Sequence, residues 1–75
     1  MYTLHNVKYQ LGLNVYNLRK AKGLTQSALA EMAQLSSKYI SRLENGEENT
    51  CLDTLVKLSN VFEVELSILL TFDED

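Results

Sequence analysis

Apolar residues recur at three- and four-residue spacing along nearly the whole chain, no stretch alternates convincingly with period two, and proline is absent from all 75 positions. Such spacing puts apolar side chains on one face of a helix, so the chain must bury several helix stripes against one another. Of the three glycines, at 12, 23 and 46, two fall where a periodic stretch stops, the place where helices use glycine to turn out of their last residue. The expected fold is all-α, a compact five-helix bundle forming one domain over residues 1–75.

Individual helices follow from stripes and caps. Leu11, Val15 and Leu18 mark the first helix, and "RKAKG" closes it with cations suited to the negative end of the helix dipole. Residues 1–9 fit three descriptions: a short extra helical turn, a mobile arm, or an extension of helix one. Thr25 caps the second helix, "TQSALAEMA", whose inward face is Leu29, Ala30 and Ala33, with Leu24 ahead of the cap as a staple. Ser36 caps the third, in which Ile40 and Leu43 face inward and Asn45-Gly46 stops the helix. Thr50 followed by Asp53 has the form of a capping box with Asp in place of Glu. A fourth helix therefore starts near Cys51 and buries Leu52, Leu55, Leu58, Ser59 and Phe62. "ELSILLTF" supplies a last turn or two, and Asp73, Glu74 and Asp75 form an acidic tail.

The inventory of reactive groups is short. One cysteine, Cys51, leaves no intramolecular disulfide or cysteine-based zinc cluster, and His5 has no acid–base partner of its own kind. With no Gly-rich phosphate loop and no nucleophile–base pair, an enzyme is not expected, nor is a cofactor or metal. No stretch approaches the roughly 18 apolar residues that span a bilayer. "MYTLHNVKYQ" lacks the basic start and apolar run of a signal peptide, so the expected location is the cytoplasm.

Charge is divided along the chain. Through residue 42, Lys8, Arg19, Lys20, Lys22, Lys38 and Arg42 face Glu31 alone; beyond it, Lys57 faces nine acids, for a net charge of −3. A basic half joined to an acidic half points to one surface for a polyanion and another turned away from it, although small proteins also segregate charge to no purpose. Two short helices joined by a tight turn, the first opening with "TQ" and the second with "S", make a helix-turn-helix pattern. In that motif the first helix crosses the DNA backbone and the second enters the major groove. The side chains left exposed at the start of the second helix are Ser37, Lys38, Ser41 and Arg42.

From Leu11 to about Leu70 the chain resembles the lambda-repressor and Cro-like family of bacterial and phage regulators. The resemblance lies in "LGLNVYNLRKAKGLTQSALAEMA", "YISRLENG" and "CLDTLVKLSNVFEVELSILL", in that order and at that spacing. It implies base contacts from Ser37, Lys38 and Arg42, with Ser41 on the same face. It also implies phosphate contacts from Gln26, Ser36, Tyr39 and the backbone around Asn45, and an ion pair of Arg19 with Glu44 between helices one and three. Arg42 is the foremost base reader, since a guanidinium bonds guanine O6 and N7 together. Lys38 serves phosphate as readily as base, Ser41 can instead satisfy a helical carbonyl, and Tyr39 can pack against helix two. Lys20 and Lys22 read as a solvated helix end.

The chain departs from the family in two places. Gln34 stands where relatives commonly have glycine at φ > 0, and "NTC" stands where they often have "NPS". The latter leaves Cys51 at a helix start, either as a small residue filling a small site or as a thiol of lowered pKa with a redox role.

One such domain offers few contacts, and the family binds as a two-fold dimer on half-sites roughly 34 Å apart. Leu66, Ile68, Leu70 and Phe72 exceed what one helix face can bury and form the expected homodimer interface, with Leu69 and Leu66 the candidates for closing the core. The expected function is a sequence-specific transcriptional regulator binding a double-stranded operator. Within it, a controller protein of a restriction–modification system is one subtype. The alternative is an antitoxin or other protein-interaction partner whose acidic half engages a basic protein.

Overall fold

Thr3 begins the first helix. Its backbone is extended and its Oγ1 accepts from the Asn6 N–H at 3.1 Å, so helix α1 runs from Leu4 to Ala21. In this computed structural model, which describes residues 1–72, residues 4–9 are therefore an extension of helix one, and only Met1, Tyr2 and the cap Thr3 precede it. The acidic tail, 73–75, lies outside the described residues. Four helices follow: α2 (Gln26–Ala33), α3 (Ser37–Glu44), α4 (Leu52–Phe62) and the single turn α5 (Leu66–Leu69). The described residues are thus all-helical, with five helices and no strands, as the apolar spacing predicts.

The core forms where the stripes meet. Leu11 and Val15 of α1, Leu29, Ala30 and Ala33 of α2, Ile40 and Leu43 of α3, Leu55, Leu58 and Phe62 of α4 and Leu69 of α5 make one buried cluster. Leu18, Leu24, Leu35, Tyr39, Val61 and Val64 pack around it, half-buried. Ser59 is buried among them and satisfies its hydroxyl by donating to the Val56 carbonyl at 2.9 Å, within its own helix.

Two expectations at the start of α4 are corrected. Leu52 is 71% exposed and lies off the buried stripe, which takes in Thr54 instead. Helix side chains lean toward the N-terminus, so a first-turn leucine projects past the helix end and not onto the core. Nor does Thr50 cap α4: the cap position is Cys51, with no side-chain cap bond, and the Thr50 hydroxyl accepts from Tyr39 Oη at 3.3 Å. Asp53 still lies in the first turn, where its charge suits the helix dipole, and pairs with Lys57 at 3.6 Å.

Helices α1 to α4 end alike. Each passes through a left-handed residue: Gly23 (φ 72°), Gln34 (φ 59°), Gly46 (φ 75°) and Glu63 (φ 58°). At each end the next residue's N–H reaches back to a carbonyl of the last turn, as Leu24 does to Arg19 at 3.0 Å and Leu35 to Ala30 at 2.8 Å. Gln34 thus adopts the left-handed conformation expected at this turn, which glycine would take more cheaply, at a cost of roughly 1–2 kcal/mol.

The remaining glycine has a different role. A Cβ on Gly12 would collide with the Leu43 carbonyl oxygen and lie 2.9 Å from that of Glu44. Helix α1 therefore crosses the end of α3 with its backbone against those carbonyls. On the other side of α1, Asn14 Nδ2 donates to the carbonyls of Leu69 and Thr71, each at 2.9 Å, and fastens the segment after α5 to the first helix.

Urea unfolding of two variants checks these assignments. Gly12→Ala should lose about 1–3 kcal/mol, because the two backbones must separate. Gln34→Gly should gain about 0.5–1 kcal/mol, part of the relieved strain being offset by glycine's freedom in the unfolded chain.

Candidate nucleic-acid interface

Helices α2 and α3 are each opened by a hydroxyl. Thr25 Oγ1 accepts from the Ala28 N–H and Ser36 Oγ from the Tyr39 N–H, both at 3.0 Å. Leu29, Ala30, Ala33, Ile40 and Leu43 lock the pair from beneath. With those residues turned inward, Ser37, Lys38 and Arg42 are exposed along α3, and Ser41 is half-buried beside them. Ser37 Oγ donates to Ser27 Oγ at 3.2 Å, so its hydroxyl is held against the first turn of α2.

A carboxylate beneath this face fixes α3 to its neighbours. Arg19 Nε donates to Glu44 Oε2 at 2.7 Å and Arg19 Nη2 to Glu44 Oε1 at 3.0 Å. Gln26 Nε2 donates to the same Oε1 at 3.0 Å, and Arg19 Nη1 donates to the Leu24 carbonyl at 2.8 Å. The paired side chains are 9% and 4% exposed, and the hydrogen bond to Glu44 raises the Arg19 pKa against the lowering effect of burial. The Tyr16 ring lies over the guanidinium, 5.3 Å from Cζ. Gln26 therefore braces α3 through its amide while remaining half-buried at the start of α2.

The other phosphate candidates differ in what they have free. Ser36 is exposed, but its hydroxyl oxygen serves the cap. Tyr39 is half-buried against the core with its hydroxyl on Thr50. At Asn45, Gly46 and Glu47 the backbone N–H groups all bond carbonyls of α3. What Asn45 offers outward is its exposed side chain, and not the local backbone. Lys20 is exposed, 6.0 Å from the Tyr16 ring, and Lys22 pairs loosely with Glu63 at 3.4 Å.

Two partners of the reading face escape sequence inspection. Ser27 is one. Glu48 is the other, with Oε2 at 3.0 Å from Arg42 Nε. The acids of "EENT" follow Gly46 immediately, yet only the turn after α3 decides which of them meets Arg42. Cys51, at the head of α4, is exposed and does not fill a small interior site. Its pKa is lowered chiefly by hydrogen bonding to the Thr54 hydroxyl, 3.5 Å away.

The interface candidates at the C-terminal end differ in burial. Leu66, Ile68 and Leu70 are 37%, 44% and 41% exposed, whereas Leu69 is fully buried and closes the core. Phe72 is half-buried, edge-on to Tyr2 at 6.4 Å between ring centroids. No helix among the described residues is long and apolar enough to cross a membrane.

This arrangement of α2, α3 and their supports has known counterparts. A family model described as helix-turn-helix matches residues 15–69. The chain belongs to the helix-turn-helix family. Control protein C.SmaI of Serratia marcescens is 35% identical over 66 residues, 88% of this chain and 79% of that protein. The crystal structure of the restriction-modification controller protein C.AhdI from Aeromonas hydrophila superposes with a TM-score of 0.80 at 32% identity, covering 83% of this chain and 94% of that one. The biofilm regulator SinR of Bacillus subtilis, crystallised in complex with DNA, gives a TM-score of 0.78 at 34% identity over 81% of this chain and 98% of SinR's. Some relatives are far longer. The transcriptional regulator RamB of Mycobacterium tuberculosis is 28% identical over 89% of this chain, which spans only 14% of RamB. The helix-turn-helix proteins that this chain resembles are thus DNA-binding transcriptional regulators and restriction–modification controllers.

Removing one member of the buried pair leaves a charge without its partner. Arg19→Ala should therefore lose about 3–5 kcal/mol in thermal or urea unfolding, at the high end of single-residue effects. DNA binding by that variant should fall in parallel with its folded fraction.

Proposed function

We propose that the chain is a sequence-specific regulator of transcription that binds a two-fold operator as a homodimer, with α3 in the major groove. The observation that carries this reading is the exposure of Ser37, Lys38 and Arg42 along a helix whose opposite side is fully anchored. Arg42 and Lys38 reach base edges, Arg42 preferring guanine, and Ser37 and Ser41 add weaker contacts from the same side. Gln26, Ser36 and the Asn45 side chain hold the sugar–phosphate backbone and set the register, and Tyr39 joins them when its hydroxyl exchanges Thr50 for a phosphate oxygen. Gln26 has a second amide hydrogen for phosphate while the first remains on Glu44. The DNA complex of SinR supports this use of the fold.

Leu66, Ile68, Leu70 and Phe72 supply the dimer contact. Exposed leucine and isoleucine gathered on one short segment favour a covered surface over a solvated one. The likeness to control protein C.SmaI and to the controller protein C.AhdI, at 35% and 32% identity, supports the restriction–modification controller subtype. The protein works in the cytoplasm, where its operator lies, and performs no chemistry on the DNA.

Selection of bound sequences from a random duplex pool should return a symmetric site with half-site centres roughly 34 Å apart. Arg42→Ala should relax one base pair in each half-site, weakening the best site by about 1–3 kcal/mol per half-site. An unchanged motif would show that Arg42 is not a base reader. Sedimentation should find a dimer at micromolar concentration, and Ile68→Asp with Leu70→Asp should convert it to a folded monomer. A monomeric parent chain would remove the dimer from this reading.

A further inference from the structure

Beyond the contacts proposed above, the reading helix ends in a turn that carries an acid back onto its own arginine. Gly46, at φ 75°, donates its N–H to the Leu43 carbonyl at 3.0 Å, and Glu47 donates to the Arg42 carbonyl at 2.9 Å. These two bonds reverse the chain over the last turn of α3. The next residue, Glu48, is thereby set beside Arg42, with 3.0 Å between Oε2 and Nε. Arg42 is 50% exposed and Glu48 22%, so the acid lies inward and the guanidinium outward. The contact is ionic without an aligned hydrogen bond. Arg19 donates three hydrogen bonds from its guanidinium, whereas Arg42 donates none among the described residues.

That distinction matters because DNA attracts an arginine in two ways. Any phosphate attracts its charge, wherever the protein lands, and this attraction underlies non-specific binding. A guanine edge instead takes two directed N–H bonds, available only at the right base pair. A carboxylate at ion-pair distance cancels most of the charge felt by a phosphate several ångströms away, yet leaves the N–H donors able to bond. It also repels phosphate itself. We propose that Glu48 is a specificity-determining residue: it holds Arg42 and suppresses its use as a general phosphate ligand while leaving it competent to read a base. The proposal rests on the reading of Arg42 as a base contact. It also gives the acidic turn after α3 a purpose on a face otherwise suited to a polyanion.

The test compares the parent chain, Glu48→Gln, Arg42→Ala and the double variant on two duplexes, the selected site and a random sequence, from 50 to 200 mM salt. Glu48→Gln should bind the random duplex about three- to tenfold more tightly, with a salt slope steeper by about one per half-site. Its affinity for the selected site should rise less, so the ratio of specific to random binding falls. In the Arg42→Ala background the same change should alter either affinity by less than twofold. Thermal melting of each variant checks that it is folded. Equal gains on both duplexes, or an undiminished effect without Arg42, would overturn the role of Glu48 and leave the base-reading assignment standing. An Arg42→Ala variant indistinguishable from the parent on the selected site would overturn both.

Discussion

One carboxylate holds the recognition unit together. Glu44 is the last residue of α3, and its two oxygens receive Arg19 from α1 and Gln26 from α2. Apolar contacts alone leave helices free to slide by a fraction of a turn at little cost, because many packings bury the same area. A bidentate guanidinium and an amide converging on one buried group do not permit such a slip without breaking directed bonds. The third donor of Arg19 extends the constraint to the Leu24 carbonyl in the turn between α1 and α2. The result is a fixed geometry for α2 relative to α3, the relation on which any groove-reading helix pair depends.

The same crossing explains why α1 bears glycine in mid-helix, where it ordinarily costs stability. Gly12 removes the one side chain that would hold α1 off the end of α3, and Arg19, two turns along α1, can then reach Glu44. Close backbone approach and buried ion pair are two parts of one contact. The turns add to it. With four helix ends built on the same left-handed exit, the chain reverses direction in few residues and the short helices remain within reach of one core.

Much of this architecture is local and so was readable along the sequence. Thr25 and Ser36 announce their helices because a cap bond spans three residues, and Leu29, Ile40, Leu43 and Leu58 declare their faces by spacing alone. Features that depend on where helices meet were less accessible. Gly12 resembles any glycine until α3 is laid across it. Leu52 fits the stripe of α4 by periodicity but stands where no neighbour covers it. A one-residue shift in cap position sends Thr50 to Tyr39 and leaves Cys51 at the helix head. At the candidate site, the outward set on α3 follows from the inward one. The Glu48–Arg42 pair does not, because it arises from a turn whose path spacing cannot foretell.

Asn14 links the two ends of this organisation. Its amide ties the segment after α5 to the middle of α1, and the same helix, five residues on, carries the arginine that holds α3. In the proposed dimer, the surface where two copies meet and the surface that reads DNA are thus both referred to a single rod of 18 residues. In that dimer the rod would act as a ruler: the distance and phase between the two reading helices would be set by the folded chain, and an operator with half-sites out of phase would have to twist its duplex to be bound.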